Sequence, residues 1–192
     1  MFKLSCFVAV AIASRVLADC TPTFNDGALY TVTMTEVPTY AWVDSSTLGS
    51  LGVNLRTTIP ATQWYLSETG LGGYVFSLDA DLSSSSCLDA GRNAGRNAKV
   101  PGSGKIYQSL GCLDSTGSLG LDEDFVFSCD TCDESGHGGG SKCNIQSSLT
   151  GECANAADDE LESPSGEDEL DQVKTAECLH TVFQQWDVVA VA

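Results

Sequence analysis

Trp186-Asp187-Val188-Val189 is an aromatic residue opening a short apolar strand, and the same element stands twice earlier, at Trp64-Tyr65-Leu66-Ser67 and Phe125-Val126-Phe127-Ser128. The step from 64 to 125 and the step from 125 to 186 are both 61 residues. Upstream of each lies a turn rich in small residues: Trp42-Val43-Asp44-Ser45-Ser46, Cys87-Leu88-Asp89-Ala90-Gly91 and Cys153-Ala154-Asn155-Ala156-Ala157. In the second and third sets another cysteine follows 25 residues later, Cys112 after Cys87 and Cys178 after Cys153. Features that recur in one order mark internal repeats, here at about 29–70, 73–132 and 141–191.

Between these landmarks the chain reads as short strands. Tyr30-Thr31-Val32-Thr33-Met34 alternates, and Tyr40–Val43, Val53–Leu55, Tyr74–Phe76, Lys105–Tyr107 and Asn144–Gln146 follow, separated by Gly, Ser and Asp. Short strands at close spacing predict an all-β fold. Glu167 to Leu179 is the one helix-like stretch, and it is strongly acidic. Three four-stranded repeats, none able to bury its apolar face alone, predict a disulfide-stapled β-trefoil, a six-stranded barrel closed by three hairpins. The three aromatics should meet in one core.

The first twenty residues, MFKLSCFVAVAIASRVLADC, begin with Lys3, run apolar from Leu4 to Leu17 and offer Ala18 before a cut. That is the pattern of a signal peptide over 1–18, too short for a spanning helix and broken by Arg15. Residues 19–192 then form a single domain of 174 residues. Removing Lys3 and Arg15 leaves seven basic residues against 26 acidic ones, a net charge near −19. Such a surface repels nucleic acid and anionic membrane, so neither is an expected partner. Cys6 leaves with the signal, and the eight remaining cysteines read as a disulfide framework in a secreted, extracellular protein. No Asn-x-Ser/Thr glycosylation pattern is present.

Gln184-Gln185-Trp186, together with Cys87-Leu88-Asp89, Ile106-Tyr107-Gln108 and Cys112, resembles the Gln-x-Trp and Cys-Leu-Asp elements of the ricin B-chain-like lectins, of the secreted fungal type with no attached catalytic domain. The resemblance spans about Leu29 to Val191, with the full Gln-x-Trp only in the third repeat. It implies shallow pockets, one per repeat, for galactose-type glycans. Each would hold an acidic acceptor for sugar hydroxyls, an amide on the next strand and an aromatic stacked on the sugar's C–H face.

In the first repeat Asp44 and Asn54 match, while Arg56 replaces the aromatic. In the second, Asp89 and Gln108 match, with Leu110 at the aromatic position unless Tyr107 takes it. In the third, Gln184 matches and Asn155 stands where Asp should. The second repeat is the best candidate. Asp44 and Asp89 have a second reading, as residues whose carboxylates bond turn amides in the hairpin. The resemblance also implies disulfides Cys87–Cys112 and Cys153–Cys178. It leaves the pairing of Cys20, Cys129, Cys132 and Cys143 open.

Other constellations carry less. Cys129, Cys132, His137 and Cys143 have zinc-knuckle spacing, but in an oxidising compartment these thiols are expected as disulfides, and no metal or cofactor is expected. His137-Gly138-Gly139-Gly140 mimics an esterase oxyanion loop without a Gly-x-Ser-x-Gly elbow, and His180 has no evident nucleophile to serve. The acidic segment at about 156–171 reads as a solvated insertion in the third repeat, and Arg92, Arg96 and Lys99 as a small basic loop in the second. The expected function is non-enzymatic carbohydrate binding. The alternative is a trefoil that has lost sugar binding and acts through its loops, as a protease inhibitor or a secreted protein-interaction factor.

Overall fold

The computed structural model describes residues 19–44, 53–56, 60–90, 106–109, 112–113, 116–134, 138–156 and 171–191. Residues 1–18, read above as a signal peptide, the loop with Arg92, Arg96 and Lys99, His137 and residues 157–170 of the acidic segment lie outside them.

The repeating apolar strands become a closed barrel. β1 (Leu29–Met34) and β4 (Trp64–Glu68) come from the first repeat. β5 (Tyr74–Ser77) and β8 (Phe125–Cys132) come from the second, β9 (Gly139–Ser147) and β13 (Trp186–Ala190) from the third. Each pairs antiparallel with two neighbours: β1 with β4, β4 with β5, β5 with β8, β8 with β9, β9 with β13, and β13 back to β1. Closure leaves none of the six as an exposed edge. Alternation places Tyr30, Val32 and Met34 inward with Trp64, Leu66, Phe125, Phe127, Trp186 and Val188.

The remaining strands form three hairpins over one end. β2 (Ala41–Asp44) pairs with β3 (Val53–Arg56), β6 (Cys87–Asp89) with β7 (Tyr107–Ser109), and β10 (Cys153–Asn155) with β12 (Lys174–Ala176). A two-residue strand β11 (Asp171–Gln172) joins β3. The hairpins lock to one another through their backbones. The Val53 N–H donates to the Ile106 oxygen at 3.1 Å, the Ile106 N–H to the Val173 oxygen at 3.1 Å, and the Val173 N–H to the Val53 oxygen at 2.9 Å. All three residues are buried, so this closed ring of three bonds marks the pseudo-threefold axis with its polar groups satisfied. These elements are those of a β-trefoil, and all-β architecture with three-repeat closure stands as read from the sequence.

Two details differ from the sequence reading. Glu167–Leu179 does not form a helix in its described part: β11 and β12 occupy 171–176, because Val173 is needed at the axis and Thr175 is buried. Ala156, assigned to the acidic insertion, is buried and donates its N–H to the Phe183 oxygen, so the third-repeat framework reaches at least that far. The three aromatic leaders meet in one core, as expected, and do so through intermediaries. Trp64 and Phe125 both pack on Phe76, whereas Trp186 packs on Trp42, which in turn packs on Phe76.

The end of the barrel away from the hairpins is stoppered by a segment that carried no repeat signal. Phe24 packs edge-on against Tyr30, Tyr74 and Phe127 at 4.7–5.0 Å between ring centres. Burying such a ring contributes about 2 kcal/mol. The segment is held by exchanged backbone bonds between Cys20 and Cys129 and by the Cys20–Cys132 disulfide. Cys129–Cys143 crosses the β8–β9 ladder, and Cys87–Cys112 and Cys153–Cys178 bridge as the resemblance implied.

Candidate functional site

The cross-strand registers define which residues of the three hairpins are equivalent. Ala41 pairs with Thr33, Cys87 with Ser77 and Cys153 with Gln146, so these three open equivalent strands. Two residues on, Val43, Asp89 and Asn155 correspond; their ladder partners are Asn54, Tyr107 and Lys174.

Asp44 therefore does not correspond to Asp89. It pairs with Val53 and shares its position with Ala90 and Ala156. Its N–H donates to Thr62 Oγ1 at 2.7 Å, while the N–H groups of Ala90 and Ala156 donate to the carbonyls of Asp122 and Phe183. Asn54 and Gln108 are likewise one step apart, since Asn54 corresponds to Tyr107 and Gln108 pairs with Leu88. In a strand one step is a change of face, and a motif alignment that tolerates a one-residue slip cannot see it.

The second repeat brings Asp89 and Tyr107 directly opposite each other, with Gln108 one step away. Asp89 is fully buried. The hairpin is fastened by Cys87–Cys112, which packs with Val75 in a small apolar cluster outside the barrel. In the third repeat Asn155 is half-buried, and its Nδ2 donates to the Ala156 oxygen at 2.6 Å. That bond is a local turn contact of the kind Asn makes readily.

Gln184 has a structural task. It lies in a 3₁₀ turn (Val182–Gln184), is buried, accepts the Leu179 N–H on Oε1 at 2.8 Å and donates from Nε2 to the Glu177 oxygen at 2.7 Å. Both ends of its amide thus hold the loop that carries Cys178. Asp44, Asp89, Asn155 and Gln184 sit on separate hairpins or loops, so the predicted residues form no single common site.

Several polar clusters were not singled out from the sequence. Glu152 accepts the Thr175 hydroxyl at 2.7 Å beneath the third hairpin. Asn144, also buried, meets His180 Nδ1 at 2.8 Å. Asp187 Oδ1 accepts from Thr35 Oγ1 at 2.9 Å, Ser141 Oγ at 2.7 Å and the Lys142 N–H at 3.0 Å. Asp187 had one available signal, a carboxylate at the outward step of a strand between buried Trp186 and Val188. The three cysteines of the zinc-like spacing are all spent in disulfides, and among the described residues no group of three His, Cys, Asp or Glu side chains is placed to hold a metal.

No protein-family model matches the chain, and no curated protein matches it in sequence. Its fold does match solved structures. A designed threefold-symmetric protein, ThreeFoil, superimposes with a TM-score of 0.54 over 85% of this chain and 99% of that one, at 17% identity. A chain of the S. cerevisiae protein O-mannosyltransferase Pmt1–Pmt2 complex, solved bound to the sugar donor, matches with a TM-score of 0.55 at 10% identity, covering 88% of this chain and 25% of that one. At these identities the likeness is one of fold, and the fold is the β-trefoil.

Proposed function

We propose that the chain is a secreted, non-enzymatic carbohydrate-binding protein of ricin B-type, with its working pocket on the second hairpin. One observation carries this reading. Of the three equivalent ladder pairs, only Asp89–Tyr107 joins a carboxylate to an aromatic residue; the others are Val43–Asn54 and Asn155–Lys174. A hydroxyl acceptor beside a flat apolar ring is the minimum a galactose-type sugar requires. Export is supported by the signal-like start and by four disulfides.

A glycan array probed with the intact protein tests the proposal. Galactose-terminated glycans should be retained, and Tyr107→Ala should lower retention about tenfold, the scale of one lost stacking contact. Asp89→Asn should lower it as well. Retention of no glycan, or retention indifferent to both substitutions, would overturn the reading.

The burial of Asp89 favours a second reading, in which the carboxylate supports the hairpin and the protein acts on another protein through its loops. A panel of secreted proteases tests the inhibitor form of that reading. Inhibition by a protein that retains no glycan would replace the lectin proposal, and no inhibition would remove this form of the alternative.

A further inference from the structure

The outer face of β13 carries a groove that none of the hairpin chemistry uses. It holds about 530 Å³, a volume that suits a small ligand or a few side chains. One wall is β13 and the residue after it, with Asp187, Val189 and Val191 among its lining. Thr131 and Asp133 lie opposite, and Gly138 and Gly140 present only backbone to the groove. The three strands are contiguous in the sheet: Val188 pairs with Gly140, which pairs with Cys132.

Two properties of this groove point to one kind of occupant. Its apolar wall is exposed, with Val189 at 54% and Val191 at 36%. Among the described residues the ionisable groups that line it, Asp187 and Asp133, are both acidic. Asp187 is moreover rigidly held. Three neutral donors converge on its Oδ1, and among the described residues no Lys, Arg or His nitrogen is within ion-pair distance of it. An oriented carboxylate without a cation, beside exposed valines, is complementary to a positive head on an aliphatic stem.

We infer that this groove docks an apolar peptide segment of a partner protein led by an arginine or lysine, with the cation on Asp187 and the aliphatic part on Val189 and Val191. The surface is separate from the second hairpin, so it stands or falls independently of sugar binding.

The test is titration of the intact, oxidised protein with N-acetyl-Leu-Arg-Val-amide and with its neutral citrulline analogue, followed by calorimetry. The arginine peptide should bind saturably, and the citrulline peptide about fivefold more weakly, as for loss of one solvent-accessible ion pair. Asp187→Asn should weaken the arginine peptide by a similar factor. Because Asp187 also bonds Thr35 and Ser141, Val189→Lys provides a second variant at an exposed site: it places a cation in the groove and should weaken the arginine peptide while leaving the thermal midpoint near that of the parent. No saturable binding of the arginine peptide, equal binding of the citrulline peptide, or binding undiminished in Val189→Lys would each overturn the inference.

Discussion

The Trp186 indole N–H donates to the main-chain oxygen of Ala154 at 3.0 Å, tying the core end of β13 to the third hairpin. The equivalent first-repeat residue, Trp64, is also fully buried, but its Nε1 has no hydrogen-bond partner among the described residues. Two tryptophans in equivalent places therefore differ in one bond. An unsatisfied buried donor costs roughly 1–3 kcal/mol, and the same penalty falls on a carbonyl whose donor is removed.

Trp186→Phe should accordingly destabilise more than Trp64→Phe, by about 1–2 kcal/mol. Both lose similar ring volume, but only the first orphans the Ala154 oxygen, whereas the second removes a donor that had no partner. Paired guanidinium unfolding curves measure the difference, and equal midpoints would refute it.

Gly140 should not accept a side chain. A Cβ there would lie 2.8 Å from Cys129 Sγ, 2.9 Å from the Thr131 oxygen and 3.1 Å from Cys143 Sγ. The disulfide occupies the space that the side chain needs. Gly140→Ala should cost about 1–3 kcal/mol, the usual range for overpacking. Thermal unfolding checks this, and peptide mapping would show whether Cys129–Cys143 still forms.

The two classes of disulfide should differ in weight. Cys20–Cys132 closes a separation of 112 residues, Cys87–Cys112 one of 25. Chain entropy alone makes the longer closure worth about 1 kcal/mol more. Replacing Cys20 and Cys132 by Ser also loosens the segment that seats Phe24. That double variant should be the less stable of the two and should bind more of a hydrophobic dye, because Tyr30, Tyr74 and Phe127 lose their cover. Equal stability and equal dye binding would contradict the stopper role of Phe24.

Stability should fall at alkaline pH in a way that involves Tyr74. Burial, and then the charge of Glu68, hold its hydroxyl above the ordinary value of 10.0. The folded state thus keeps the phenolic proton longer than the unfolded chain does. The contribution is fully present below pH ~10 and is lost as pH rises through the folded value. Tyr74→Phe should flatten this part of the curve. Urea midpoints between pH 8 and 11, roughly spanning that range, provide the measurement.

Much of the fold was legible because its signals are local. Trp64, Phe125 and Trp186 open barrel strands wherever they occur, since an aromatic beside alternating apolar residues can be buried only by facing inward. The 25-residue cysteine spacing recurred for a similar reason: each pair staples a strand of one hairpin to the loop beyond it, within a single repeat. The candidate site was harder to read. Asp44 and Asp89 look alike in sequence, yet their ladder partners, Val53 and Tyr107, fall at different steps of the hairpin.

By itself the amino-acid order determined the three-part all-β plan and the aromatic leaders, carried by residues close together along the chain, while the two cysteine pairs within repeats were implied by the family resemblance. The tertiary structure alone decided the rest: the backbone ring of Val53, Ile106 and Val173, the pairing of Cys20 with Cys132 and of Cys129 with Cys143, Phe24 as the barrel's stopper, and the one-residue offset that sets Asp89 against Tyr107. The reason is physical. Side-chain alternation depends on immediate neighbours, whereas register, distant disulfide partners and the filling of a barrel end depend on which surfaces meet after closure, and no single segment encodes that meeting.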